Sequence, residues 1–517
     1  MQIEKTKNAV RNSLSGLICR AVMLVFPFVI RTVIIRELGM KYAGLGSLFT
    51  SVLQVLSLSE LGFSTAVAYA MYKPIADDDK KLVGALLGFE KKVYYIVGAA
   101  ILCVGLLVTP FLPHLINGEV PADINLYTLY FIYLFNTVIS YFVFSYKGVL
   151  LAAFQRTDVE NNLMMLTNLA MYALQIVVLF AFKNYYVYII FLPLCTLGLN
   201  IARSVYVNKK YAEFLTFSEL DSGVKREVFK NIGALMGHRL SITVVVAVVN
   251  IIISAKLGLD DLAVYNNYYY IVNALIAIIS VVHSALTAGI GNNIVVHDVD
   301  KNYGDFNTLT FLNVWLVGWM AITLMCLYQP FMSIWMDGDT AKMLPDSSAL
   351  LFVALLYFWK FKDILTTYKD AGGMWRADFW KPYVVAVATL ILTLILINTM
   401  GMNGVVIALL VGVFVVSMPW ETHVFFKQYF HRSAAAYYLR MFIYTAIVAA
   451  SGVLTYFVCS FLPSSGVLAL IIKFLICAVL PNAIFVLCSF KTREFKVLCN
   501  KMGGLVKKRG GKKAAAK

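Results

Sequence analysis

Long apolar runs joined by short polar links fill this chain of 517 residues. At about 20 apolar residues per membrane crossing, the runs predict helical spans near 14–35, 43–71, 93–112, 127–149, 163–182, 187–207, 232–255, 262–290, 309–330, 349–368, 383–399, 404–426, 438–461 and 466–490. The expectation is an all-α integral membrane protein with about fourteen transmembrane helices.

The first span is not a plain anchor. Helical periodicity, about 100° per residue, puts Ser13, Arg20, Pro27 and Arg31 within one narrow arc of its surface. A guanidinium inside hydrocarbon costs on the order of 3 kcal/mol on insertion scales, so this polar stripe is expected to face protein or water. Arg31 is near enough to the interface to snorkel; Arg20 lies deeper.

The stripe returns 219 positions later. Lys230 to Gly258, KNIGALMGHRLSITVVVAVVNIIISAKLG, sets Lys230 against Arg11, Asn231 against Asn12, Arg239 against Arg20 and Asn250 against Arg31. In the following helix Asn273, Ser280, Ser284 and Thr287 share a face, with Gln54 and Thr65 at the positions matching Asn273 and Ser284. Two copies of one helical unit are predicted. Each has six helices, so both keep one orientation and are related by an axis along the membrane normal. The expected organisation is a six-helix bundle at 1–229, a second at 230–430, two extra helices at 431–490 and a basic cytoplasmic tail at 491–517.

Composition agrees, with 60% hydrophobic residues, 14% charged and a mean hydropathy of +0.77, against about 25% charged in soluble domains. Of the 44 lysines and arginines, 35 lie in links or span ends on the N-terminal side, and only Arg36, Lys41, Lys183, Lys256 and Lys342 lie opposite. Both termini are therefore expected in the cytoplasm. The net charge of +16 reflects this bias, and it is spread over links rather than gathered on one face as nucleic-acid binding requires. The basic tail around Lys507 to Lys513 reads as a solvated topology determinant that can also touch anionic lipid. The N-terminal apolar run lacks a small-residue cleavage pattern and is expected to be retained.

Catalytic chemistry is not indicated: the sequence carries no Walker loop, Ser/His/Asp grouping or metal-spaced histidine cluster. The eight cysteines stand singly, mostly in apolar runs, and are expected as small core residues with neither metal nor cofactor. Asp77, Asp78 and Asp79 read as a solvated loop. Glu60, beside Ser57 and Ser64, is a candidate counter-ion for Arg20, the other readings being a proton-coupling residue or a group in a water-filled mouth. His238 and His283 are intramembrane histidines that can titrate or simply pack. The run Tyr265 to Tyr270 suits an aromatic belt first and sugar stacking second.

The opening KTKNAVRNSL, the stretch FPFVIRTVIIRELGMKYAGLGSLFTSVLQVLSLSELGFSTAVAYAMYKPIADDDKKLVGAL, and later NIIISAKLGLDDLAVYNNY and TTYKDAGGMWRADFWKPYVVAVATLILTLILINTMGMNGVVIALLVG resemble bacterial polysaccharide-unit flippases of the Wzx type. The resemblance covers essentially the whole chain. That family sits in the multidrug/oligosaccharidyl-lipid/polysaccharide (MOP) exporter superfamily. It implies two six-helix bundles in a V around a central cavity, and alternating access between the two sides of the bacterial cytoplasmic membrane. The implied substrate is a polyprenyl-diphosphate-linked oligosaccharide, moved to the outer leaflet for capsule, exopolysaccharide or O-antigen assembly. The implied partners are membrane lipid, an ion or proton gradient, and polysaccharide polymerase and chain-length machinery.

A diphosphate in a low-dielectric layer needs fixed cations, and arginine's planar fork matches phosphate oxygens. The expected substrate path is Arg20 and Arg239, extended by Arg31 and Arg11, with Glu60 and Asn250 alongside. The alternatives are a lipid II flippase of peptidoglycan synthesis, whose cationic cavity would look alike, and a cation-coupled multidrug exporter, against which the intramembrane arginines argue. A membrane polymerase or ligase is expected to carry a large external loop, and the external links here are brief.

Overall fold

A computed structural model describes residues 5–57, 62–374, 377–463 and 466–500, with side chains described except at 5–10, 227, 229–242 and 288. Among the described residues all regular structure is helical. In chain order the helices are α1 (Lys5–Glu37), α2 (Met40–Leu56), α3 (Phe63–Ala76), α4 (Lys80–Val108), α5 (Leu126–Phe142), α6 (Gly148–Ala153), α7 (Thr157–Phe182), α8 (Tyr185–Ile189) and α9 (Phe191–Lys210). They continue as α10 (Ser222–Lys256), α11 (Leu259–Val296), α12 (Val299–Trp335), α13 (Asp346–Lys360), α14 (Asp363–Ala371), α15 (Lys381–Leu410), α16 (Met418–Phe425), α17 (Ala435–Ser460) and α18 (Val467–Ser489).

Over the described residues each predicted span falls on helix apart from short breaks, and several depart from a simple rod. The second is divided between α2 and α3, the tenth between α13 and α14. The eleventh and twelfth meet in α15, which folds back at Gly401, φ +54°. That left-handed conformation suits glycine, and Gly404 lies so close to the Leu396 carbonyl that a Cβ there would collide with it. Nine helices among the described residues are long and apolar enough to cross a membrane, ten if the 47° bend from Leu126–Phe142 into Ser145–Ala153 counts as one span. The chain is a multi-pass membrane protein.

By packing, the chain divides into two compact units, Met1–Ala263 and Val264–Lys517. Helix α10, the first of the second expected copy, thus packs in the first unit, against α2 and α3. In the first unit α1 lies along α7. Asn12 clamps the start of α7, its Nδ2 donating to the Gln155 carbonyl at 3.0 Å and its Oδ1 accepting from Asp158 N at 2.8 Å. The second bond satisfies one of the backbone N–H groups that a helix start leaves unpaired.

The second unit is organised on α12, where 61% of the apolar window is buried, against 18–28% in the other candidate spans. Helices α13, α14, α17 and α18 all pack on it. Trp315 and Trp319 donate their indole N–H groups to Asn482 Oδ1 at 2.7 Å and the Cys477 carbonyl at 2.9 Å, tying α12 to α18. Gly318 admits α17: a Cβ at this position would stand 2.6 Å from Val448 Cγ2.

Candidate functional site

The polar stripe of α1 divides by depth of contact. Ser13 and Arg20 are exposed, while Pro27 and Arg31 are half-buried. Among the described residues the Arg20 side chain makes no hydrogen bond or ion pair. Arg31 reaches Ser47 Oγ on α2 (Nη1, 3.3 Å) and the Ala263 carbonyl (Nη2, 3.0 Å). Asn250 is buried and donates to Ser51 Oγ at 2.9 Å.

Arg11 is committed elsewhere. Its Nη2 lies 3.2 Å from Asp158 Oδ2, a buried carboxylate that also accepts from Arg156. At Arg156, just outside the span, the hydrogen bond to Asp158 pushes the guanidinium pKa up. Arg11 and Arg156 together lock α1 to the first turn of α7. Glu60 and the side chains of Arg239 and His238 lie outside the described residues.

Polar groups on the following helices are also exposed: Gln54 on α2, Thr65 on α3, and Asn273 and Ser284 on α11. An exposed polar face on a membrane helix is expensive against lipid and is expected to meet water or a polar ligand.

Inside the second unit, His283 sits in a defined network. Asn313 Nδ2 donates to the carbonyls of Lys360 and Phe361 at 3.0 and 2.9 Å, which turns its Oδ1 toward His283 Nε2 at 2.8 Å. Nε2 therefore donates. The other ring nitrogen, Nδ1, faces Asp363 Oδ2 at 3.1 Å, and that oxygen also accepts from Lys360 Nζ at 2.7 Å. Two bare acceptors cannot share this contact, so a proton lies between His283 and Asp363. Lys360 also donates to Ser280 Oγ at 3.2 Å.

A second network gathers three buried lysines. Glu421 accepts from Lys362 at 2.5 Å through Oε2 and from Lys381 through Oε1, and Thr366 adds a bond of 3.0 Å. Asp378 receives Lys369 at 2.5 Å and Lys381 at 3.0 Å. Removing charge from water is repaid only when geometry and hydrogen bonding are this complete, which marks the network as a structural lock on α14, α15 and α16.

The sequence reading treated Lys360, Lys362, Lys369 and Lys381 as part of the link-charge bias. Here each is buried: Lys360 and Lys362 because they stand at the break between α13 and α14 inside the tenth span, Lys369 and Lys381 because α14 and α15 run past the limits drawn from hydropathy. For the same reason Glu90 was missed: α4 begins at Lys80, and Glu90 is fully buried, accepting from Ser64 at 2.6 Å. The tyrosine run packs as core at Tyr265 and Tyr268, against Phe352 and Tyr328. Asp79 caps α4 by accepting from Leu82 N at 2.9 Å. The sequence also gave no sign that Cys326, Cys459 and Cys477 converge, their thiol sulfurs all within 4.8 Å of one another.

No protein-family model matches the chain, and no curated protein matches it in sequence. Solved structures do match in fold. An inward-facing multidrug resistance MATE family transporter of the MOP superfamily has a TM-score of 0.62 at 14% identity, covering 81% of this chain and 98% of its own. A lipid II flippase, MurJ, in an inward closed conformation has a TM-score of 0.67 at 10% identity, covering 92% of this chain and 98% of its own. A MOP superfamily transporter from Pyrococcus furiosus, described as having a binding pocket of reversed polarity, scores 0.55 at 14% identity, covering 81% and 95%.

The class is therefore a multi-pass helical membrane protein with the fold of MOP superfamily transporters. Within that fold class its structural neighbours include both drug exporters and a lipid flippase.

Proposed function

We propose that this chain is a flippase that carries polyprenyl-diphosphate-linked oligosaccharide from the cytoplasmic to the outer leaflet of the bacterial cytoplasmic membrane by alternating access. Arg20 carries the reading. It is a guanidinium exposed on a membrane-spanning helix and without an ion-pair partner among the described residues. Such a charge is tolerable only toward water or an anion, and diphosphate is the anion that its planar fork fits best. A cationic drug would be repelled at the same point. Arg239, the aligned position of the second copy, is assigned the same task, and Arg31 and Asn250 the neighbouring polar path.

The test is to delete the protein in its host and measure, with a membrane-impermeant sugar oxidant on intact cells, which leaflet holds the lipid-linked sugar. Protected, cytoplasm-facing sugar should accumulate, and the wild-type chain should reverse this while Arg20→Ala, at equal protein level, should not. Full restoration by both Arg20→Ala and Arg239→Ala sinks the proposal. A lipid II substrate is the second reading, supported by the match to the lipid II flippase over 92% of this chain. In a host with no other lipid II flippase, loss of viability on deletion would select it.

A further inference from the structure

Three thiols meet in the apolar interior of the second unit. Cys326 comes from α12, Cys459 from the last turn of α17 and Cys477 from the middle of α18. Their sulfurs lie within 4.8 Å of one another and all three residues are buried. Ile322 and Phe485 complete the core cluster, with Trp315 and Trp319 packed against it. Cys103, Cys488 and Cys499 are by contrast exposed, and Cys195 is half-exposed.

One charged group joins the cluster. Lys473 is buried and stands four residues before Cys477 on α18. A cavity of about 680 Å³ opens beside them, lined by Cys326, Cys459 and Lys473 together with Gln329 and Asp346. A buried ammonium is costly without a compensating charge. Three neutral thiols supply none.

From this arrangement we infer that Cys326, Cys459 and Cys477 form a thiolate site for a soft d10 divalent cation, Zn²⁺ being the physiological case. Thiolate sulfur selects such ions, and Zn–S bonds of about 2.3 Å need only a small inward movement from the present spacing. The charge closes: M²⁺ and three RSH give M(SR)₃⁻ and release three protons, and the Lys473 ammonium neutralises the single negative charge left. Cu⁺ with three thiolates would leave a second negative charge uncompensated. The cavity supplies room for water as a fourth ligand. The bound ion joins α12, α17 and α18, stapling the last two helices to the central helix of their unit.

The test uses the full-length protein in detergent, reduced and stripped with a chelator. Zn²⁺ should bind at one ion per chain with release of three protons. Co²⁺ should give the near-ultraviolet charge-transfer band of thiolate ligation. Cys459→Ser should lose the band and the bound ion while eluting as a folded monodisperse species, and Zn²⁺ should raise the melting temperature of the wild type only. Lys473→Gln should weaken Zn²⁺ binding at least tenfold, and Cys103→Ser should bind as the wild type does. If Cys459→Ser fails to fold, Cys326→Ser carries the same comparison. Absence of the Co²⁺ band, unchanged stoichiometry in Cys459→Ser and Cys326→Ser, or a disulfide among these residues in freshly isolated protein overturns the assignment.

Discussion

Arg31 and Asn250, 219 residues apart (250 − 31), close on successive turns of one helix: Arg31 donates to Ser47 and Asn250 to Ser51, both on α2. Ser51 in turn donates to the Ser47 carbonyl at 2.8 Å, so the two side chains are linked through a single turn of backbone. These are the positions set against each other in the expected repeat, and they reach successive turns of α2, one with a charged group and the other with an amide. The chain of bonds joins α1, α2 and α10, which accounts for α10 packing in the first unit.

Removing Ser51 takes an acceptor from a buried amide, whereas removing Ser47 affects a half-buried guanidinium that also holds the Ala263 carbonyl. Ser51→Ala should therefore cost about 1–3 kcal/mol and Ser47→Ala less. Melting curves of the two variants in the same detergent decide this; equal or inverted losses contradict the assignment.

Glu421 holds two buried ammonium groups, Lys362 and Lys381. Glu421→Ala strands Lys362 and leaves Lys381 with Asp378 alone, and it should lose about 3–5 kcal/mol, while replacing all three residues by apolar ones of similar volume should restore most of it. Thermal unfolding of the single and triple variants measures the difference. Export activity is not needed for the comparison.

The contact between His283 and Asp363 ties α11 to α14, and Asp363 also holds the buried Lys360 ammonium. Asp363→Ala strands that ammonium and should lose about 3–5 kcal/mol, while Asp363→Asn, which keeps a polar group facing Nδ1, should lose less. Thermal unfolding of the two variants at one pH measures the difference; equal losses refute the contact with the ring.

Gly318 lies where α12 and α17 touch. Gly318→Ala should cost about 1–3 kcal/mol by overpacking, and Val448→Ala on the facing helix should recover part of it. A double-mutant cycle in melting free energy should give a coupling of about 0.5 kcal/mol or more; simple additivity would show that the two do not meet.

Much of the architecture is legible in hydropathy, because a membrane helix must be apolar over a fixed length wherever it packs. Over the described residues all fourteen runs fall on helix apart from short breaks, and α15 turns at Gly401, inside the link expected between the eleventh and twelfth spans. The stripe on α1 is legible for a similar reason: spacing alone places Arg20 and Arg31 on one arc. Spacing could not say what each side chain meets. Arg11 pairs with Asp158, Arg20 stays exposed and Arg31 shares α2 with Asn250.

The sequence by itself determined the class of chain, its helices and the intramembrane cations, since each follows from local chemistry and helical period. Tertiary structure alone decided which distant groups meet. Cys326, Cys459 and Cys477 lie 133 (459 − 326) and 18 (477 − 459) residues apart and carry no common motif, yet three helices bring their sulfurs within 4.8 Å. Lys362 and Lys381 read as link charges until Glu421, 40 residues beyond Lys381, is folded onto them. The reason is that burial and pairing depend on which helix faces pack together, a property of the whole assembly of helices that no single run of residues encodes.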